Sequence, residues 1–163
     1  MPHDLISLAY NEGIALEYWD FEPPLEGVYW KHPELPPVIG LSKTLFDNPK
    51  HLRTVLGEEL GHHFTTVGDC VAVRRCSYAD RVSLDRSEYR ALSWAARHLI
   101  PFDSLLYVVR RGRTEPWELA EIFDVDESLI RFRLSLIQGD AREIKALRHL
   151  AFRCEEDRLW AFA

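Results

Sequence analysis

The stretch TVLGEELGHHFTT, residues 54–66, decides how this chain is read, because it places Glu58, Glu59 and His62 in the order E-E-x-x-H. A helix built to carry a zinc ion and its general base reads H-E-x-x-H, with both histidines on one face and the acid beside them. Here Glu58 stands where the first histidine would be. Residues four apart on an α-helix are separated by about 40° of rotation, so Glu58 and His62 can grip one ion from adjacent turns. Glu59 lies about 100° round from Glu58, next to that ion, which is where a base takes a proton from an attacking water. The bland reading of the same letters is a solvated acidic helix face with two histidines. A second register, Glu59 with His63, has the same spacing but no acid after its first ligand, so it would make a structural or regulatory site.

Working outward, Asn48 and Pro49 read as the N-cap and first position of this helix. Leu52, Val55, Leu56, Leu60 and Phe64 follow at helical spacing. A second helix is expected at about 84–99, from SLDRSEYRALSWAARHL, closed by Pro101; it overlaps SEYRALSWAARHLIP (87–101). Glu88 opens that stretch, and Ala91 and Ala95 lie near its side of the helix. Small residues there let two helices approach closely and bring Glu88 towards His62. A third ligand from a second helix, with the fourth position left to water, is what a catalytic zinc site needs.

GEELGHHFTT, then EYRALSWAARHLIP, then ELAEIFDVDESLIRFRL together resemble the ImmA/IrrE family of metallopeptidases, in its phage and mobile-element branch. The resemblance spans roughly residues 30–136. It rests on the E-E-x-x-H helix followed by a second helix that carries Glu88, Ala91, Trp94 and Ala95 and closes on Leu99-Ile100-Pro101. Carried over by position, it implies Glu58, His62 and Glu88 as metal ligands and Glu59 as the catalytic base. It implies a zincin-like α+β fold, hydrolysis of a peptide bond and, as protein substrate, a helix-turn-helix repressor of a mobile element. Glu58 departs from the family's first histidine, although an E-E-L-G-H form recurs in this branch. One imidazole and two carboxylates would neutralise a divalent ion. A neutral centre acidifies its water less and holds zinc weakly, with manganese as the alternative.

The remaining chain surrounds this pair of helices. Residues 3–11 read as a short opening helix. IALEYWDF (14–21), GVYWKH (27–32) and PVIGLSK (37–43) read as strands, separated by the Pro-rich EPPLEG and PELPP. Residues 102–111, 116–123, 126–137 and 141–160 read as helical. Strands first and helices after predict an α+β domain: a small three-stranded sheet, a mostly helical zincin-like core and a helical C-terminal part. Residues 1–163 read as one such domain, with the sheet and site helices in 1–111 and a helical extension in 112–163; GRTE (112–115) is its softest boundary.

Several residues carry weaker readings. His51 is seven before Glu58 and could reach the site, though a partly exposed first-turn histidine is the plainer reading. His63 can donate to a developing oxyanion or simply pack locally. Asp69 and Tyr78 could line the cleft, and His98 reads as structural. Residues 115–136 have helix-turn-helix spacing, with Asp126 as a cap and Arg131 and Arg133 able to face phosphate. Acidic Asp124, Asp126 and Glu127 at the groove-entering end argue against DNA. Trp117, Leu119, Ile122, Phe123, Val125, Leu129 and Leu134 are what a packed helix pair requires. The tail after Asp140 reads as an amphipathic helix that covers the core.

Composition narrows the function classes. The chain has 163 residues, 47% hydrophobic and 28% charged, long enough to bury a core. A net charge of −6 argues against a nucleic-acid partner. No apolar run has the length of a membrane span, and the N-terminus lacks the pattern of a signal peptide. Three cysteines, Cys70, Cys76 and Cys154, fit reduced thiols in a cytoplasm. The alternative to a peptidase is a zincin-like scaffold that has lost hydrolysis and acts by binding a protein or, less readily, DNA. Metal analysis and the convergence of Glu58, His62 and Glu88 separate the two.

Overall fold

The structure is a computed structural model that describes residues 3–65 and 78–147, with side chains omitted for 78–85. The fold is α+β. Helix α1 (His3–Asn11) precedes strands β1 (Ala15–Trp19), β2 (Gly27–His32) and β3 (Leu35–Ser42), which a 3-10 turn (Lys43–Asp47) joins to α2 (Pro49–Thr65). Then come α3 (Tyr78–Leu99), α4 (Phe102–Arg110), α5 (Pro116–Phe123) and α6 (Glu127–Gln138). Residues 141–147 are helical, and the rest of the expected C-terminal helix lies outside the described residues. So do Asp69, the three cysteines and the side chain of Tyr78. The chain packs as two compact units divided between His98 and Leu99.

In the first unit β3 is the central strand, in the order β1-β3-β2. β2 runs antiparallel to β3 across the turn at Pro33 and Glu34, pairing Tyr29 with Ile39, while β1 runs parallel to β3 and pairs Leu16 with Ile39. Successive side chains of a strand alternate between faces. Ile39 and Leu41 therefore share one face of β3, and both are fully buried. α2 packs on β2 and β3, and α1 packs on α2 and β1. Leu52, Leu56 and Leu60, at four-residue spacing on α2, are all buried, as are Leu5 and Ala9 of α1. Each such leucine contributes roughly 1.5–3 kcal/mol by leaving water. The expected stripe also included Phe64, which stays 39% exposed because it sits at the end of α2, beyond the sheet.

α2 starts as its sequence requires. The Asn48 side-chain oxygen accepts from the His51 N–H at 3.3 Å, satisfying one of the orphan donors of the first turn, and Pro49 follows where no donor is needed. Before it, Ser42 caps the 3-10 turn by accepting from the Thr44 N–H.

In the second unit α5 and α6 form a helix-turn-helix pair. Asp124 turns the chain at φ 53, and its N–H returns to the Ala120 carbonyl. Leu119, Ala120, Val125, Leu129, Ile130, Leu136 and Ile137 are buried. Trp117 and Ile122, expected in this packing, are 59% and 48% exposed. The cause is helical phase: Trp117 lies about 200° from Leu119, and Ile122 about 200° from Ala120. A two-turn helix has one inward face, and Leu119 and Ala120 fill it. Arg133, which by its place on the helix could have faced phosphate, is only 1% exposed. Its Nε donates to the Ile100 carbonyl at 3.1 Å, and its two Nη groups donate to the two Glu143 oxygens at 2.8 Å each. Arg131 is tied to Glu127 one turn earlier. Asp126 holds the N-cap position of α6 but makes no side-chain cap bond.

Candidate metal centre and its general base

The site begins with a glycine. A Cβ on Gly61 would lie 2.2 Å from the Ala91 carbonyl oxygen, so no side chain fits there and α2 meets α3 backbone to backbone. Ala91 and Ala95 are fully buried at this crossing. The next residue on α2 is His62, and one turn before Ala91 on α3 is Glu88. His62 Nε2 and Glu88 Oε2 are consequently 3.2 Å apart, with the imidazole largely covered and the carboxylate 55% exposed.

Glu59 points the other way round α2, onto the sheet. It is 8% exposed, and its Oε1 occupies the space that a side chain on Gly27 would need, 2.6 Å from such a Cβ. The backbone of Tyr29 hydrogen-bonds to it. Gly27 and Tyr29 thus belong to the surroundings of Glu59, and neither is visible as a site residue in the sequence. A glycine opening a strand is the only local sign, and many strands open that way.

Electrostatically the cluster is short of positive charge. Burial pushes the Glu59 carboxyl up to about 7; His62 opposes this, while Glu58 and Glu88 reinforce it. Half-buried Glu58 is also raised, first by burial and then by Glu88, with His62 opposing. For His62, burial is the largest single influence and favours the neutral ring. The hydrogen bond and charge of Glu88, with Glu59 and Glu58, outweigh it, so the imidazole pKa is raised. Three carboxyl groups share one imidazole.

The structure therefore brings His62 and Glu88 into contact and sets Glu58 in their field. It does not close the three on a single point: among the described residues, no three or more His, Cys, Asp or Glu side chains stand as a ready metal site. The side chain of His63 is engaged elsewhere, with Nδ1 3.0 Å from the Tyr29 hydroxyl and Nε2 3.7 Å from Glu12. The Glu59–His63 register consequently has its two members on different partners. His51 pairs with Glu26 at 2.8 Å. His98 stacks on Trp94 at 4.6 Å.

No helix among the described residues is long and apolar enough to cross a membrane. No protein-family model matches this chain, and no curated protein matches it.

Proposed function

We propose that the protein is a metal-dependent endopeptidase of the ImmA/IrrE type, acting in the cytoplasm on a regulatory protein of a phage or mobile element. The observation that carries the reading is the approach of His62 to Glu88 across the Gly61–Ala91 contact. Two donors each 2.0–2.1 Å from a tetrahedral ion are about 3.3 Å apart. The 3.2 Å between His62 Nε2 and Glu88 Oε2 fits that spacing, and the donor types suit zinc or manganese. The nature of the substrate, a helix-turn-helix repressor, rests on the resemblance alone.

His62, Glu88 and Glu58 would hold the ion, which when bound polarises the scissile carbonyl and makes the attacking water more acidic. Glu59 does the proton work. Its carboxylate takes one proton from water as the oxygen adds to the carbonyl carbon. It then gives that proton to the amine nitrogen as the C–N bond breaks. The hydrogen bond from the Tyr29 backbone holds the carboxyl group in one orientation for both transfers.

A second reading has its own support. Because Glu58 does not complete a three-donor set with His62 and Glu88, the same scaffold suits a binding module that no longer hydrolyses. DNA is the weaker partner for such a module, since Arg133 is buried and Arg131 is paired.

Calorimetric titration with zinc, manganese and cobalt tests the metal. Saturable binding by the wild type that disappears in His62→Ala and Glu88→Gln is expected. Mass spectrometry of a proteome-derived peptide library tests the chemistry: new N-termini should form with the zinc-loaded wild type and not with Glu59→Gln. Binding without cleavage would transfer the assignment to the second reading.

A further inference from the structure

A cleft of about 550 Å³ opens on α3, one turn along from His62 and Glu88. Its lining includes Ser93, 6% exposed, whose Oγ is buried with no hydrogen-bond partner. Leaving a buried hydroxyl unpaired costs about 1–3 kcal/mol. Trp94 also lines it and stacks with Phe64 at 4.7 Å and with His98 at 4.6 Å. Exposed Tyr89 extends the apolar surface. Arg90 and Arg97 also line it and are exposed. Arg90 Nε donates back to the Arg86 carbonyl, and no carboxylate among the described residues pairs with Arg90 or Arg97. Asp4, which faces His98 from α1, is engaged by Arg53.

The spacing of these groups identifies what they suit. Arg90 and Arg97 are seven residues apart, about 10.5 Å along the helix, with Ser93 between them on the same stripe. A single small anion reaches only one of them. A polyproline-II segment repeats its side-chain direction every three residues, about 9 Å, and leaves its carbonyls free to accept a hydrogen bond. Single-stranded nucleic acid binds best where successive bases can stack on several open rings, and here Trp94 is already stacked with Phe64 and His98, which leaves Tyr89.

We propose that this cleft docks an extended acidic segment of a protein partner, in polyproline-II form. Two carboxylates three residues apart meet Arg90 and Arg97, and an apolar side chain between them sits against Tyr89. Identifying that partner with the substrate rests on the peptidase reading; the binding itself does not.

Fluorescence polarisation of a labelled Gly-Ser-Asp-Pro-Leu-Asp-Pro-Ser-Gly peptide tests it on the whole protein, with chelator present to prevent cleavage. Saturable binding is expected, weakened about tenfold or more in the Arg90→Glu/Arg97→Glu double variant. The same variant should bind the peptide with both aspartates changed to lysine, which also shows that it is folded. Absence of binding, indifference to the charge reversal, or displacement of the peptide by decathymidylate would each overturn the proposal. None of these results bears on zinc binding or on Glu59-dependent cleavage, so the docking site and the peptidase reading fail separately.

Discussion

The helix pair α2–α3 and the helix pair α5–α6 both bury charge, and they treat it in opposite ways. Within the second unit, Arg133 is 1% exposed, and its donors are matched by both oxygens of Glu143 and by the Ile100 carbonyl. Charge and hydrogen bonds are balanced there, which is what a buried ion pair needs in order to persist. In the first unit Glu58, Glu59 and Glu88 gather around His62, and the two buried carboxyls titrate above their usual range. The first arrangement is complete within the protein; the second leaves three carboxyl groups to share one imidazole. Buried charge alone is therefore a poor marker of function. Buried charge left unmatched is a better one.

The comparison is broken most forcefully at Arg133. Arg133→Ala leaves Glu143 without its partner and should destabilise the protein by about 3–5 kcal/mol, read as a lowered urea midpoint. Replacing both Arg133 and Glu143 with methionine should recover most of that loss. If the single and double variants were equally unstable, the pair would not be the balanced unit described here.

Next in size is Glu59. Its folded-state pKa of about 7 is above its ordinary 4.5, so folding favours the protonated form. The stability associated with that form is fully present below pH 4.5 and is lost as pH rises through 7. Metal-free Glu59→Gln should thus be more stable than wild type above pH 7, by up to about 3 kcal/mol, with the difference vanishing near pH 4. Equal unfolding midpoints across this range would show that Glu59 is not buried as described.

Gly61→Ala tests the close approach that creates the unmatched cluster. The added methyl meets backbone, so a cost of about 1–3 kcal/mol is expected, together with a weaker interaction between His62 and Glu88. NMR titration of the histidines reads that interaction directly. Glu88→Gln should lower the His62 pKa, because the carboxylate is what raises it against burial. A ring that titrates unchanged would remove the contact from the site. The smallest effect is predicted for Arg131→Ala, within about 0.5 kcal/mol, since the exposed pair with Glu127 resembles other surface pairs of this spacing.

Much of this contrast was legible in the letters, though unevenly. The approach of Glu88 to His62 was signalled by Ala91 and Ala95, whereas Gly61, which completes the crossing, gave no such sign beforehand. Arg133 misleads because it carries no local sign of burial: it lies between Ile130 and Leu136 on the inward stripe of α6, and only Glu143 and Ile100 make that position tolerable. Trp117 and Ile122 mislead in the reverse sense, as apolar side chains on an outward face. The role of Gly27 against Glu59 was equally hidden, since it depends on a strand meeting a helix more than thirty residues away.

What the letters determined by themselves was local: three strand segments, helical periods with the Asn48 cap, and the helical spacing that makes Glu58, Glu59 and His62 candidates for one site. These depend on residues a few positions apart, whose energies are set by backbone geometry and neighbouring side chains. The tertiary structure alone decided that β3 lies centrally with β1 parallel to it, that Glu59 is covered while Glu58 is half open, and that Arg133 finds a carboxylate. It also decided that Ser93 lies unpaired between two arginines. Burial and pairing depend on what arrives from distant parts of the chain, and no local spacing specifies that.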